Sequence, residues 1–378
     1  MILTAEQQMM QDSMRAFAQE KLLPRAEHWE ASAEFPRAAL KELGELGALG
    51  MTVSEEYGGV GLDYVSLAVV IEEIAAGHGA TSTIVSVQNS LVCGITARFG
   101  SEAQKKTYLT GLATGELLGC FCLTEPHTGS DASALRTTAR RDGDEWVING
   151  VKQFITTGRE GDVALVFAVT DASAGKQGIS CFILPTTTKG YIVTGVERKL
   201  GQHASDTAQI TFEDCRVPGD ALVGELGQGY RIALSNLEAG RIGIAAQSIG
   251  MARAAYEVAV SYARERHAFG IPLVGHQAVA FRLADMATNI EAARQLTWHA
   301  AALKDAGQAC LKEASMAKLF ASEAAEKVCS AAIQTLGGYG YTKDFPVERI
   351  YRDVRVTQIY EGTSDVQRIV IGRAVIGA

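Results

Sequence analysis

Hydrophobic residues recur along the first third of the chain at three- and four-residue steps, the period of an amphipathic helix. Met10, Met14 and Phe17 share one face, and Pro24 is expected to end that run. Pro36 suits the first turn of a second helix, which Gly47 or Gly50 closes. Asp63 is placed to cap a third, carrying Leu67, Val70, Ile71 and Ile74. Residues 81–99 read as another apolar helix stopped by Gly100. Ser101 and Gln104 then form a capping box for a short helix through Leu109.

Near Leu117 the period shortens to two. Strands are expected over 118–123, 146–149, 151–155, 163–169, 179–184, 191–193 and 209–212, with Asn149-Gly150 predicting a two-residue hairpin. Strands in succession, joined by short turns without helices, predict an antiparallel β domain. No GxGxxG follows a strand, which argues against a dinucleotide-binding βαβ unit. From about Gly227 the helical period returns. Val279, Leu283, Met286, Ile290, Ala293 and Ala300 form one stripe; Met316, Phe320, Ala324, Val328 and Ala331 form another. Long Ala-rich helices with short connections imply a bundle. The fold class is therefore α+β multidomain: a helical domain over 1–116, an antiparallel β domain over 117–225, and a helix bundle over 226–378.

Composition narrows the functional classes. A chain of 378 residues, 47% hydrophobic and 21% charged, can bury two or three cores. No apolar run approaches the roughly 18–20 residues of a membrane span. The opening MILTAEQQMMQDSMRAF contains acidic residues and resembles neither a signal nor an Arg-rich transit peptide, so a bacterial-type cytoplasmic protein, or a mature organellar one, is expected. A net charge of −8 sets nucleic acid aside as the main partner while leaving room for a local basic pocket. The seven cysteines are scattered, with Cys120 and Cys122 on one face of a strand as core residues. Neither they nor the seven histidines have zinc spacing, so no metal or disulfide is expected.

Three stretches carry candidate chemistry. CLTEPHTGSD (122–131) leaves a strand for a loop whose hydroxyls and N–H groups can face an anionic or polar cofactor, or serve as an ordinary polar connection. QTLGGYGY (334–341), followed by Asp344, Arg349 and Asp353, is a helix C-cap with a tight turn, or a place where a phosphate or second backbone approaches closely. IYEGTSDVQ (359–367) sets Glu361 between Tyr360 and Gly362; taken alone, such a pair is a turn.

With KQFITTG, ARERHAFG and LEAGRIGIA in the same order, these stretches resemble the acyl-CoA dehydrogenase family over essentially the whole chain. SVQNSL and LEAGRIGIAAQ are most similar to its short-chain branch. The resemblance implies a helical N-terminal domain, a middle β domain and a C-terminal four-helix bundle. It also implies FAD, a homotetramer built as a dimer of dimers, and electron transfer flavoprotein as electron acceptor. The implied reaction is α,β-dehydrogenation of a short-chain acyl-CoA, straight or branched, to the trans-2-enoyl-CoA, with the β-hydride passing to flavin N5. Two other readings stay open: a same-fold flavoprotein acting as oxidase, monooxygenase or desulfinase, or an acyl-CoA-binding protein without catalysis.

Residue by residue, Glu361 matches the family's base, with the backbone of its neighbour polarising the thioester carbonyl. Some relatives carry their glutamate on the helix containing LEAGRI, where this chain has Gly240; Glu238, two residues earlier, points about 200° away and substitutes poorly. For FAD, the resemblance carries over Phe121, Leu123, Thr124, Gly129 and Ser130, and on the other side Phe154, Ile155 and Thr156, with Thr156 near N5. The family often has Trp where Phe154 stands. Arg266, Phe269, Gln277, Gln334, Gly337 and Gly338 would reach the FAD of a neighbouring subunit, and Thr363, Ser364 and Gln367 the FAD at a helix N-terminus. By local pattern alone Arg266 reads as a surface arginine in the charged run Arg264, Glu265, Arg266. For substrate, Ser130, Arg241 and Gly362 carry over, with Glu238 and Tyr360 along the acyl or CoA path; Arg241 is equally a structural ion-pair residue. The helix around 81–91 is expected to line the tail, and its Ile84, Val85, Val87 and Gln88 offer no charge for a second carboxylate.

Overall fold

Asp63 accepts a hydrogen bond from the Ser66 N–H and starts the helix Tyr64–Gly77, around which the N-terminal third is built. In this computed structural model, which describes residues 1–377, that helix is buried on nearly every side. Its two carboxylates, Glu72 and Glu73, are each 1% exposed and lie among arginines from three other helices. Arg294 grips Glu72 with two donors at 3.0 and 2.8 Å, and Arg15 grips Glu73 at 3.2 and 2.9 Å. Arg253 reaches both, at 3.2 Å from Glu72 and 2.5 Å from Glu73. The cluster ties the helix to Ala5–Phe17 and to two bundle helices, Leu237–Glu265 and Gln277–Asp305.

The first helical run does not stop at Pro24. It passes through a π-helical turn, Ala18–Leu22, and a 3-10 turn, Leu23–Arg25, into Ala26–Ser32. The widened turn accommodates the proline ring and its missing N–H. The run expected over 81–99 begins at Gly79, contains the π segment Gln88–Cys93, and ends at Gly100. The capping box of Ser101 and Gln104 is formed, and Pro36 sits at the N-cap of Arg37–Glu45.

The middle region is one sheet of eight strands: β1 (Gly119–Cys122), β2 (Thr138–Asp142), β3 (Glu145–Thr156), β4 (Val163–Val169), β5 (Ile179–Pro185), β6 (Tyr191–Val196), β7 (Thr207–Pro218) and β8 (Leu222–Val223). Their order is β6-β7-β3-β2-β4-β5-β8, with β1 on β4. Most pairs are antiparallel as expected, but β1–β4 and the short β2–β4 contact are parallel. Asn149-Gly150 is not a hairpin: it lies inside the single strand β3, at a register shift against β7. The glycine is needed because its φ is +149° and a Cβ there would meet Thr137 Oγ1 at 2.5 Å. The tight turn instead joins β2 to β3, where Asp142 pairs with Glu145 and Gly143 has φ +61°. Cys120 and Cys122 are both fully buried in the β core.

In the C-terminal region Leu237–Glu265, Gln277–Asp305 and Leu311–Leu336 pack together, and Ser364–Ile376 lies along the third as the fourth helix. Met286, Ile290, Ala293 and Ala300 are buried as the first stripe requires. The second stripe is rotated from the expected face. Ala324 and Val328 are buried as expected, but Ala314, Ala317, Lys318, Ala321 and Ala325 share the buried side, while Phe320 is 37% exposed. Alanines allow the close approach to the glycine- and alanine-rich Leu237–Glu265 helix, and the bulky phenylalanine stays outside. Among the described residues no helix is long and apolar enough to cross a membrane.

Because three helices converge on Glu72 and Glu73, Glu72→Ala removes one of the two carboxylates their arginines share and is expected to cost about 1.5–3 kcal/mol, Arg253 keeping Glu73 and Arg294 keeping Glu291. A fall in the urea midpoint at unchanged slope measures it.

Candidate active site

The chain between Arg355–Gln358 and Ser364–Ile376 makes a sharp turn in which Glu361 and Gly362 both adopt left-handed backbone, at φ +54° and +87°. For glutamate this conformation costs about 1–3 kcal/mol and must be held by its surroundings. Gln367, fully buried below the turn, donates through Nε2 to the Glu361 carbonyl at 3.1 Å and the Gly362 carbonyl at 2.9 Å. Lys318 donates to the Gly362 carbonyl at 2.7 Å. Thr363 caps the following helix, its hydroxyl accepting from the Val366 N–H at 3.3 Å.

Held this way, the Glu361 side chain reaches the first turn of Leu237–Glu265. A Cβ at Gly240 would stand 2.5 Å from Glu361 Oε2 and 3.1 Å from its carboxyl carbon, so the glycine is the notch that admits the carboxylate. Oε2 is shielded from water and, among the described residues, has no hydrogen-bond partner. Burial pushes the Glu361 carboxyl up to about 7, opposed by the Arg241 and Lys318 cations. Among the described residues, the N–H groups of Glu361 and Gly362 donate to no protein acceptor.

Arg241 is 3% exposed, and its Nε and Nη1 are buried without partners, so it is not a satisfied structural ion pair. Glu238 turns instead toward Lys304, whose Nζ is 3.4 Å from its Oε2. Tyr360 lies behind the turn. Its hydroxyl donates to Gln247 Oε1, and Gln247 Nε2 donates to the Gly79 carbonyl and Ser82 Oγ, both at 3.0 Å. Thr83 Oγ1 continues the network to Gln202 Oε1 at 2.6 Å.

The loop after β1 is pinned by a buried ion pair, Lys152 Nζ to Glu125 Oε1 at 2.7 Å. Burial works against the Glu125 carboxylate, but Lys152 and the N–H groups of Thr137 and Arg136 together hold it below its ordinary range. Lys152 also donates to the Leu123 carbonyl at 2.9 Å. Phe121 packs edge-on against Phe167 at 4.9 Å, and Leu123 joins the same apolar cluster. Thr124 is half-buried, while Gly129 and Ser130 are exposed. In β3 a register shift lies between Lys152 and Ile155, and Phe154 and Thr157 have φ +58° and +59°. Phe154 is thereby turned out to 62% exposure, while Ile155 points into the β core at 1%. Ile155 therefore presents no side chain to a cofactor, and its carbonyl accepts from the Gly158 N–H at 3.2 Å. Thr156 is half-buried, and the Thr157 hydroxyl is buried without a partner.

The remaining expected cofactor residues lie elsewhere. Arg266, Phe269 and Gln277 are exposed around the end of Leu237–Glu265, with Phe269 98% exposed at φ +53°. Gln334, Gly337 and Gly338 are exposed at the end of Leu311–Leu336. Arg266 is 25 residues beyond Arg241 along the helical path, roughly 35–40 Å at the rise of an α-helix.

The acyl-CoA dehydrogenase N-terminal, middle and C-terminal domain profiles match residues 4–116, 120–215 and 227–376. The chain belongs to the acyl-CoA dehydrogenase family. It is 50% identical over 364 residues to the mitochondrial short-chain specific acyl-CoA dehydrogenase of Rattus norvegicus, covering 96% of this chain and 88% of that protein. Butyryl-CoA dehydrogenase from Megasphaera elsdenii superposes with a TM-score of 0.97 at 40% identity, over 100% of this chain and 99% of that one. A chain from a study of the electron transferring flavoprotein of Acidaminococcus fermentans gives 0.98 at 45% identity, over 100% and 99%. The protein is a FAD-dependent oxidoreductase acting on acyl-CoA.

The residues present fit FAD. Ser364 Oγ is buried and unpartnered at the first residue of a 13-residue helix, where N–H groups and the helix dipole favour phosphate. The unpartnered Thr157 hydroxyl and exposed Phe154 fit the other flank. Gln367 Oε1 is also unpartnered, while its amide nitrogen is committed to the turn. Sequence reasoning missed Lys318 and Gln247. The signal for Lys318 was a lysine standing four residues from Ala314 on an alanine face.

Gly240→Ala is expected to fold and bind FAD but to displace the carboxylate, slowing anaerobic flavin reduction about 10–100-fold. Stopped-flow absorbance of the flavin measures it.

Proposed function

We propose that the enzyme dehydrogenates short-chain acyl-CoA thioesters with Glu361 as the base. The observation that carries this reading is the buried Glu361 Oε2, unpartnered and lodged at Gly240 beside Arg241. A carboxylate stripped of water is a stronger base than one in solution. The free N–H groups of the turn supply donors for the thioester oxygen, which raises the acidity of the α-carbon. The α-proton then moves to Glu361 Oε2. Bound FAD supplies the two-electron acceptor for the β-hydrogen. Ser364 and Thr363 would hold its phosphates, and Phe154, Thr156 and the loop from Leu123 to Ser130 would hold its ring.

A short tail is supported by the floor behind the base. Gly240, Gly243 and Gln247 follow one another on one helix face, so Gln247 lies roughly 10 Å beyond the carboxylate notch. There the network of Gln247, Thr83 and Tyr360 closes the space with satisfied polar groups. An apolar tail pushed into it would strand buried groups at about 1–3 kcal/mol each. Gln88, expected to line the tail, is committed to the Leu112 and Leu117 carbonyls at 2.7 and 3.0 Å.

The distance of Arg266, Phe269 and Gln277 from Glu361 supports a second reading within the same function: they complete the FAD site of a neighbouring copy in a homotetramer. Electron transfer flavoprotein is the acceptor we assign, in keeping with the matching chain from the study of an electron transferring flavoprotein.

Purified enzyme is expected to be yellow and to bleach anaerobically with butyryl-CoA. Glu361→Gln should lower that rate by at least about 1,000-fold while retaining FAD; an unchanged rate refutes the assignment. In the wild type the base must be ionised, so the reduction rate should fall about tenfold per pH unit below about 7 and level off above it. A panel of acyl-CoAs from C3 to C12 should give its highest kcat/KM at the short end.

A further inference from the structure

Lys318 has no role in the chemistry above, yet it is completely buried on the alanine face of Leu311–Leu336. An ammonium carries three donors, and among the described residues this one has a single acceptor, the Gly362 carbonyl at 2.7 Å. Burying a charge among alanines is strongly unfavourable unless its position is required. The adjacent Glu361 carbonyl is held by Gln367 at 3.1 Å, so the two peptide groups that follow the Cα of the base are both fixed.

We infer that Lys318 is a positioning residue of the dehydrogenation: it pins the Gly362 carbonyl, completes with Gln367 a clamp on the left-handed turn, and sets the charge around Glu361. This rests on Glu361 as the base. The clamp fixes where the carboxylate lies against Gly240, and the cation favours its ionised form. The charged and titratable groups around this centre are few. Arg241 and Glu238 come from Leu237–Glu265, and Lys318 from Leu311–Leu336, with Glu323 acting on Lys318 from the next turn. Glu323 is itself paired with Arg368 at 2.6 Å on Ser364–Ile376, a helix that also carries Asp365; Tyr360 lies beside the base on its own segment. Burial pushes the Lys318 ammonium down to about 8, with Glu361 opposing that shift and Arg241 adding to it. It is therefore charged in the range where Glu361 must ionise.

Three variants separate position from charge. Lys318→Met removes both, Lys318→Arg keeps the charge, and Gln367→Leu removes the other half of the clamp with no change of charge. The Glu361 carboxyl can be followed directly in substrate-free holoenzyme by its infrared band, assigned by its absence in Glu361→Gln. Wild type should titrate near 7. In Lys318→Met the midpoint should rise by about one pH unit, and flavin reduction should slow about 10–100-fold with FAD content preserved. Lys318→Arg should keep the wild-type midpoint. Gln367→Leu should keep the midpoint while slowing reduction about tenfold or more. A Lys318→Met enzyme with the wild-type midpoint overturns the inference, whatever its melting temperature. Should Lys318→Met not fold, Gln367→Leu decides: reduction at the wild-type rate overturns the clamp. The infrared titration does not depend on turnover, so its failure is distinguishable from failure of Glu361 as base.

Discussion

A carboxylate buried against a glycine is the contact on which this active site depends. Glu361 reaches Gly240 only because two consecutive left-handed residues turn the chain, and those persist only because Gln367 and Lys318 hold their carbonyls. The strained turn buries the carboxylate, and that burial pushes the Glu361 carboxyl up to about 7. Strain, position and basicity are thus one arrangement.

The three regions of the chain serve that arrangement from different sides. Glu72 and Glu73 lock the N-terminal helices to the bundle helix that carries Gly240 and Arg241. The polar network from Gln247 through Thr83 to Gln202 joins the same helix to the loop between β6 and β7. Gln88 reaches the start of β1, where its Oε1 accepts the Gly119 N–H at 2.9 Å. The loop after β1 is fixed in turn by the Lys152–Glu125 pair. A cofactor held as proposed between the β region and the bundle would meet surfaces whose relative placement is set by buried polar contacts.

Local rules carried the sequence reading far. Asp63, Ser101 with Gln104, and Gly100 act over three or four residues, and the structure uses them as expected. The failures have non-local causes. Gly150 answers to Thr137 across the sheet, which no turn rule can see. Pro24 is absorbed by a π turn, and Phe320 gives way to alanines because a neighbouring helix comes close. At the site, family resemblance named Glu361, Gly240 and Arg241, but not that the carboxylate occupies the glycine's space. Lys318 escaped because its meaning depends on a carbonyl 44 residues away.

Exchange of the α-hydrogens of butyryl-CoA with D2O, measured anaerobically in wild type and Glu361→Gln, isolates proton abstraction from electron transfer. The account predicts exchange in the wild type, with a rate that rises with ionisation near pH 7, and none above background in Glu361→Gln. Undiminished exchange in Glu361→Gln would contradict it.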